Sequence, residues 1–304
     1  FVNTNISVNG YHFRHRNDFT AAAANFTFYH TEAALALAAA VAANPSFSTV
    51  LDNDGNAYVV PGMLIQKAIT AATANKTVFV SSGTYAENLS IAKSVKLSGN
   101  NAGIRPTSTN FGQAPRLAET WINGTVTIAA DDVELNGLRI HHTTPLAFSG
   151  TRHGFKLRFS YLTGQTSSVR YNYDGNQAGT TALNNWLIEA NWIGEMPQIN
   201  TNASIWIIGG LKNASFLDNT FTQACWGHLQ VMGVENMTMT GNTFRDNLTS
   251  IFSNAAGYAI QFDGKNENIL FANNTVINTA GGFKIYVSNG WEAKKKKNFT
   301  IENN

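Results

Sequence analysis

Five short segments hold most of the side chains that could do chemistry. They are R-Y-N-Y-D-G (170–175), S-I-W-I-I-G (204–209), H-L-Q-V-M-G (228–233), A-I-Q-F-D-G (259–264) and K-I-Y-V-S-N (284–289). P-L-A-F-S-G (145–150) reads as an earlier member of the set. Strand side chains alternate faces. With Ile205/Ile207, Leu229/Val231, Ile260/Phe262 and Ile285/Val287 placed inward, three outward columns follow. The middle column reads Asn172, Trp206, Gln230, Gln261, Tyr286. Stacked strands lie about 4.8 Å apart, so Trp206 to Tyr286 spans roughly 15 Å, the length of a few sugar units. Aromatic faces and planar amides suit sugar rings and hydroxyls, which makes this column the expected ligand-binding strip.

The flanking columns carry the catalytic candidates. One reads Arg170, Ser204, His228, Ala259, Lys284; the other reads Asp174, Ile208, Met232, Asp263, Ser288. His228 and Asp263 could share acid–base work, but alternation puts them at opposite ends of their strands. Asp174 and Asp263 lie about 14 Å apart, too far to hold one calcium ion or to act as a hydrolytic carboxylate pair. His12-x-x-His15 and His141-His142 lack a third metal ligand. Asp52-Asn53-Asp54-Gly55 starts like a calcium loop, but Met63 occupies the twelfth position, where a glutamate is required. No metal or cofactor is expected.

These segments are positioned by a repeated phrase, Asn-Φ-x-Φ-x-x-Asn, where Φ is apolar. It begins at Asn185, Asn213, Asn236, Asn268 and Asn298, at intervals of 28, 23, 32 and 30 residues. Such a period marks a solenoid. Each phrase reads as a short strand with two inward apolar residues, closed by an Asn suited to a left-handed or tight turn. Stacking would align Asn191, Asn219, Asn242, Asn274 and Asn304 into an amide ladder. Weaker copies at Ser94, Asp132 and Gly154 bring the array to about nine coils, starting near Thr77. Ahead of them, T-E-A-A-L-A-L-A-A-A-V-A-A-N (31–44) predicts a helix, and a second follows Pro61 with Leu64, Ile65, Ala68 and Ile69 on one face. The division expected is an N-terminal α/β cap over 1–60 and a β solenoid over 61–304.

Charged residues make up only 13% of the chain and the net charge is +2, so no global field recruits nucleic acid. No apolar stretch is long enough for a membrane-spanning helix. The single cysteine, Cys225, excludes an internal disulfide and reads as a small buried hydrophobe. Lys294–Lys297 reads as a solvated loop. The first residue is Phe and the last rung stops at Asn304, so the chain is expected to be a processed product or a piece of something longer.

The run Q-K-A-I-T-A-A-T-A-N-K-T-V-F-V-S-S-G-T-Y-A-E-N-L-S-I-A-K-S-V-K-L-S-G-N-N-A-G (66–103) resembles the first coils of secreted right-handed parallel β-helix proteins of the pectin-lyase-like superfamily. W-I-N-G-T-V-T-I-A-A-D-D-V-E-L-N-G-L-R-I (121–140) is similar to their next coil, and the resemblance extends over about 66–304. It implies the fold, all-β and right-handed, but no single activity, because members include polysaccharide lyases, pectin esterases, phage tailspikes and noncatalytic adhesins. A lyase would need a Lys or Arg base beside a group that neutralises the substrate carboxylate, often calcium. Arg170 and Lys284, about 19 Å apart, do not assemble such a set. The paired Asp, Gln and Arg of the esterases is not matched. The expectation is a secreted or surface-displayed structural and adhesive module, such as a segment of an appendage or filament. The partners expected are a glycan and a further chain or copy at the open rung near Asn304. A lyase or tailspike-like depolymerase, and a noncatalytic glycan-binding module, are the alternatives.

Overall fold

A computed structural model describes residues 4–8, 11–15, 50–51, 54–107, 116–164, 169–172, 183–195, 205–224, 227–247, 257–286 and 296–304. The helix expected over 31–44 and Cys225 lie outside these residues. Thr4–Val8 and Tyr11–His15 pair as an antiparallel hairpin. Val50–Leu51 pairs antiparallel with Ala57–Val59, and from Ala57 onward every described pairing is parallel.

Parallel pairing follows from the phrase itself. A strand of three residues offers too little surface to stand alone, so it is stable only when the next coil stacks on it. One ladder runs through ten strands: Ala57–Val59, Thr77–Val80, Lys96–Ser98, Glu134–Asn136, Lys156–Arg158, Leu187–Glu189, Ile205–Leu217, Gly227–Thr240, Tyr258–Ala272 and Lys296–Glu302. Nine spacings make a stack of roughly 43 Å. Its inward column reads Ala57, Val78, Leu97, Leu135, Leu157, Ile188, Phe216, Met239, Phe271 and Ile301. All are buried except Ile301, which is 50% exposed on the outermost rung. A second sheet of eight strands forms the other wall, from Gly83–Tyr85 to Thr275–Thr279. Lys296 and Lys297 open the last strand rather than lying in a loop.

At the corner between the walls, the expected amide ladder is present. Asn219 Oδ1 accepts from both the backbone N–H (3.0 Å) and the Nδ2 (2.9 Å) of Asn191. Asn242 does the same for Asn219, Asn274 for Asn242, and Asn304 for Asn274. Ser160 takes the position below Asn191 and donates its N–H to it, while its hydroxyl accepts from Leu138 N. The left-handed residue, however, is the one before each ladder Asn: Ala190, Asp218, Gly241, Asn273 and Asn303. The Asn that opens the phrase is also left-handed, at 185, 213, 236, 268 and 298. The last four of them form a second, exposed ladder, each Nδ2 donating to the Oδ1 of the one before, and Asn213 ends it by donating to Asn184 Oδ1 rather than to Asn185.

The helix after Pro61 is α1 (Ile65–Ala71), with Ile65, Ala68 and Ile69 buried. Leu64 is exposed instead of joining that face. The helix carries no acid in its first turn and no base in its last. The first coil supplies both. Glu87 accepts from Ile65 N and Gln66 N, and Lys93 Nζ donates to Thr70 O and Ala72 O. Opposite charges thus sit at the ends that the helix dipole favours.

Candidate functional site

The backbone register of the expected strip in the first sheet differs from expectation at both ends. Val169 pairs with Ile205, so Arg170, not Asn172, stands beside Trp206. Trp206 pairs with Gln230, Gln230 with Gln261, and Gln261 with Lys284 rather than Tyr286. The column is therefore Arg170, Trp206, Gln230, Gln261, Lys284, and its neighbour is Asn172, Ile208, Met232, Asp263, Tyr286. A two-residue slip keeps every side chain on the same face, so the hydrophobic pattern could not detect it. The corrected column has a cationic residue at each end, about 19 Å apart. Gln230 is partly buried and Gln261 is buried.

His228 is not on this face. It follows Gly227 at the corner where the chain enters the first sheet, and both His228 and Leu229 are fully buried. The equivalent Ala259 and Ile260 are buried in the same way. Alternation fails there because consecutive side chains at a corner can both point inward. The His228 ring packs between Phe221 and Phe244, with centroids 6.4 and 6.0 Å away. Neither ring nitrogen has a hydrogen-bond partner among the described residues. Burial holds the imidazole neutral and lowers its pKa from 6.5 to about 3, against the opposing field of Asp246. His228 therefore cannot act on a ligand held on the outer face together with Asp263, Arg170 or Lys284.

The second sheet carries a cluster that the sequence reading missed. Trp121, Arg139, Tyr161 and Trp192 share one outward column, while Ile122, Ile140, Leu162 and Ile193 fill the core behind them. The Arg139 guanidinium carbon lies 4.3 Å from the Trp121 ring centroid and 5.3 Å from that of Tyr161. The Tyr161 hydroxyl donates a short hydrogen bond to the Glu195 carboxylate. Burial, and then that carboxylate, push the phenol pKa well above its ordinary value. Arg116, fully buried, forms a bidentate pair with Glu119 and donates to Ile104 O and Phe159 O. These outward residues each follow a position at the ladder corner: Thr120, Leu138, Ser160 and Asn191. That adjacency is the signal that could have found them.

The His141 and His142 rings turn to opposite rungs. His141 Nδ1 meets Thr163 Oγ1 at 2.6 Å and His142 Nδ1 meets Thr125 Oγ1 at 2.9 Å. Among the described residues no three His, Cys, Asp or Glu side chains cluster as metal ligands. No described helix is long and apolar enough to cross a membrane.

Residues 148–304, more than half of the chain, match the family described as right handed beta helix region, and the chain belongs to that family. A search of curated proteins finds no match. Solved structures similar to this chain include PfbA, a surface adhesin of Streptococcus pneumoniae (13% identity, TM-score 0.48, covering 93% of this chain and 77% of that one). Geobacillus virus E2 ORF18 is also similar (15%, TM-score 0.43, 90% and 65%). So is the pectin methylesterase from Aspergillus niger (11%, TM-score 0.38, 81% and 89%).

Proposed function

We propose that this chain is a secreted or surface-displayed structural and adhesive module that contacts a glycan through the outer face of its first sheet. The observation that carries the reading is the register column Arg170, Trp206, Gln230, Gln261, Lys284 on a stack of parallel-paired coils. The stack supplies the scaffold, and the column supplies an aromatic residue, two cationic residues and the half-buried amide of Gln230 at a spacing that suits an extended saccharide. Self-association through the rung that carries Asn304 belongs to the same proposal, and light scattering of the purified chain reads it.

A glycan-binding panel tests the reading. Binding that is weakened about tenfold by Trp206→Ala or Lys284→Ala, with no change in the size of the glycan, supports an adhesive module. Absence of binding to every glycan would overturn it. Release of unsaturated or reducing ends from the same panel would replace it with the depolymerase alternative.

A further inference from the structure

Asn-Gly steps occur in the chain at 9–10, 123–124, 136–137 and 289–290, and the middle two lie among the described residues. An asparagine followed by glycine is chemically labile, because glycine leaves its backbone nitrogen unshielded and its torsions free. Reaction requires the side-chain amide carbon of the asparagine to meet the backbone nitrogen of the glycine. The fold treats the two described steps differently. Asn136 is buried and held: its Nδ2 donates to Glu134 Oε1 (2.9 Å) and its Oδ1 accepts from Gly103 N (3.2 Å). Gly137 N donates to Arg158 O (3.0 Å), so both reacting groups are committed. Asn123 sits in the bend between Thr120–Ile122 and Val126–Ile128 and is exposed. Among the described residues neither its side-chain amide nor Gly124 N has a hydrogen-bond partner. The glycine is imposed by the stack, since a Cβ at 124 would lie 1.9 Å from Glu87 O.

We infer that Asn123–Gly124 is a site of spontaneous deamidation in the folded chain, and that its isoaspartyl product loosens the coil that carries it. Gly124 N attacks Asn123 Cγ. The Cγ–Nδ2 bond breaks, and ammonia leaves with the proton given up by Gly124 N. The cyclic imide then takes up a water molecule. Opening at Cγ gives aspartate, and opening at the main-chain carbonyl gives isoaspartate, whose backbone is longer by a single carbon. That carbon falls inside a tight set of bonds to the coil below. Asn123 N donates to Tyr85 O (2.9 Å), Thr125 N to Asn88 Oδ1 (2.9 Å) and Leu89 N to Thr125 O (2.8 Å). A longer link between 123 and 125 cannot keep all of them in geometry. Glu87, within the facing segment, also holds Ile65 N and Gln66 N of α1, so the altered backbone lies against the cap of the solenoid.

Storage of the whole chain in mildly alkaline buffer, folded and in urea, tests the assignment. Proteolysis and mass spectrometry with enzymatic isoaspartate methylation read the conversion at each residue. In the folded chain residue 123 should convert about tenfold faster than residue 136, and in urea the two rates should converge, because protection of Asn136 comes from the fold. No conversion at 123, equal rates in the folded chain, or the same ratio with and without urea would each overturn the site. The isolated isoaspartyl fraction should melt below the Asn123→Asp variant, which carries the new charge without the extra carbon. Equal melting of the two would overturn the loosening.

Discussion

Two asparagine ladders run along this solenoid, built from the two ends of one phrase. Asn191, Asn219, Asn242 and Asn274 are buried, and Asn213, Asn236, Asn268 and Asn298 are exposed. In the buried ladder each amide oxygen accepts two donors from the rung below, and the Nδ2 also reaches a core-strand carbonyl such as Leu157 O, Ile188 O or Phe216 O. In the exposed ladder each amide makes one side-chain bond per rung. Residue type and spacing are the same, yet water can replace only the exposed bonds. His228 makes a third case: it is buried like the inner ladder but has no hydrogen-bond partner among the described residues.

Asn242→Ala should have the largest effect. It removes acceptors from the Asn219 N–H and Nδ2 and a donor from Asn274 Oδ1 and Phe216 O. A loss of roughly 3–5 kcal/mol is expected, read by urea unfolding, with hydrogen exchange accelerated first in the neighbouring rungs. Acidification comes next. The folded pKa of His228 lies below its unfolded value of 6.5, so its contribution is complete above 6.5 and is lost as pH falls toward about 3. From pH 6.5 to 4 that amounts to roughly 3 kcal/mol, seen as a falling melting temperature that His228→Phe should flatten. Asn219→Ser should cost less, about 1–2 kcal/mol, because Ser160 already holds a ladder position with a hydroxyl. Asn236→Ala is the smallest, about 1 kcal/mol, most of it from the left-handed backbone. Asn236→Gly should be near neutral. Equal losses at Asn242 and Asn236 would mean that burial does not set the value of a ladder bond.

The buried ladder was legible because it recurs in a short phrase with apolar residues at fixed offsets. The exposed ladder sat in the same phrase but was not read as one, since a left-handed Asn at a turn needs no partner to make sense. The two-residue slip at Asn172 and Tyr286 escaped because strand periodicity is two. His228 escaped because alternation holds within strands and fails at corners. The cluster at Arg139 was invisible for another reason. Its parts come from four coils, and only the stacking register brings them together. The clamps on α1 are nonlocal too, since Glu87 and Lys93 lie in the next coil.

The coils stack along one direction, so the bonds between rungs lie nearly parallel to the solenoid axis. Tension applied through the chain would therefore peel one coil at a time instead of shearing many strands at once. Each event would release one repeat of 23 to 32 residues. At full extension that is on the order of 80–110 Å per step. Single-molecule pulling should show a sawtooth with that spacing. The stack would then yield gradually, dissipating work coil by coil while the remaining rungs stay folded.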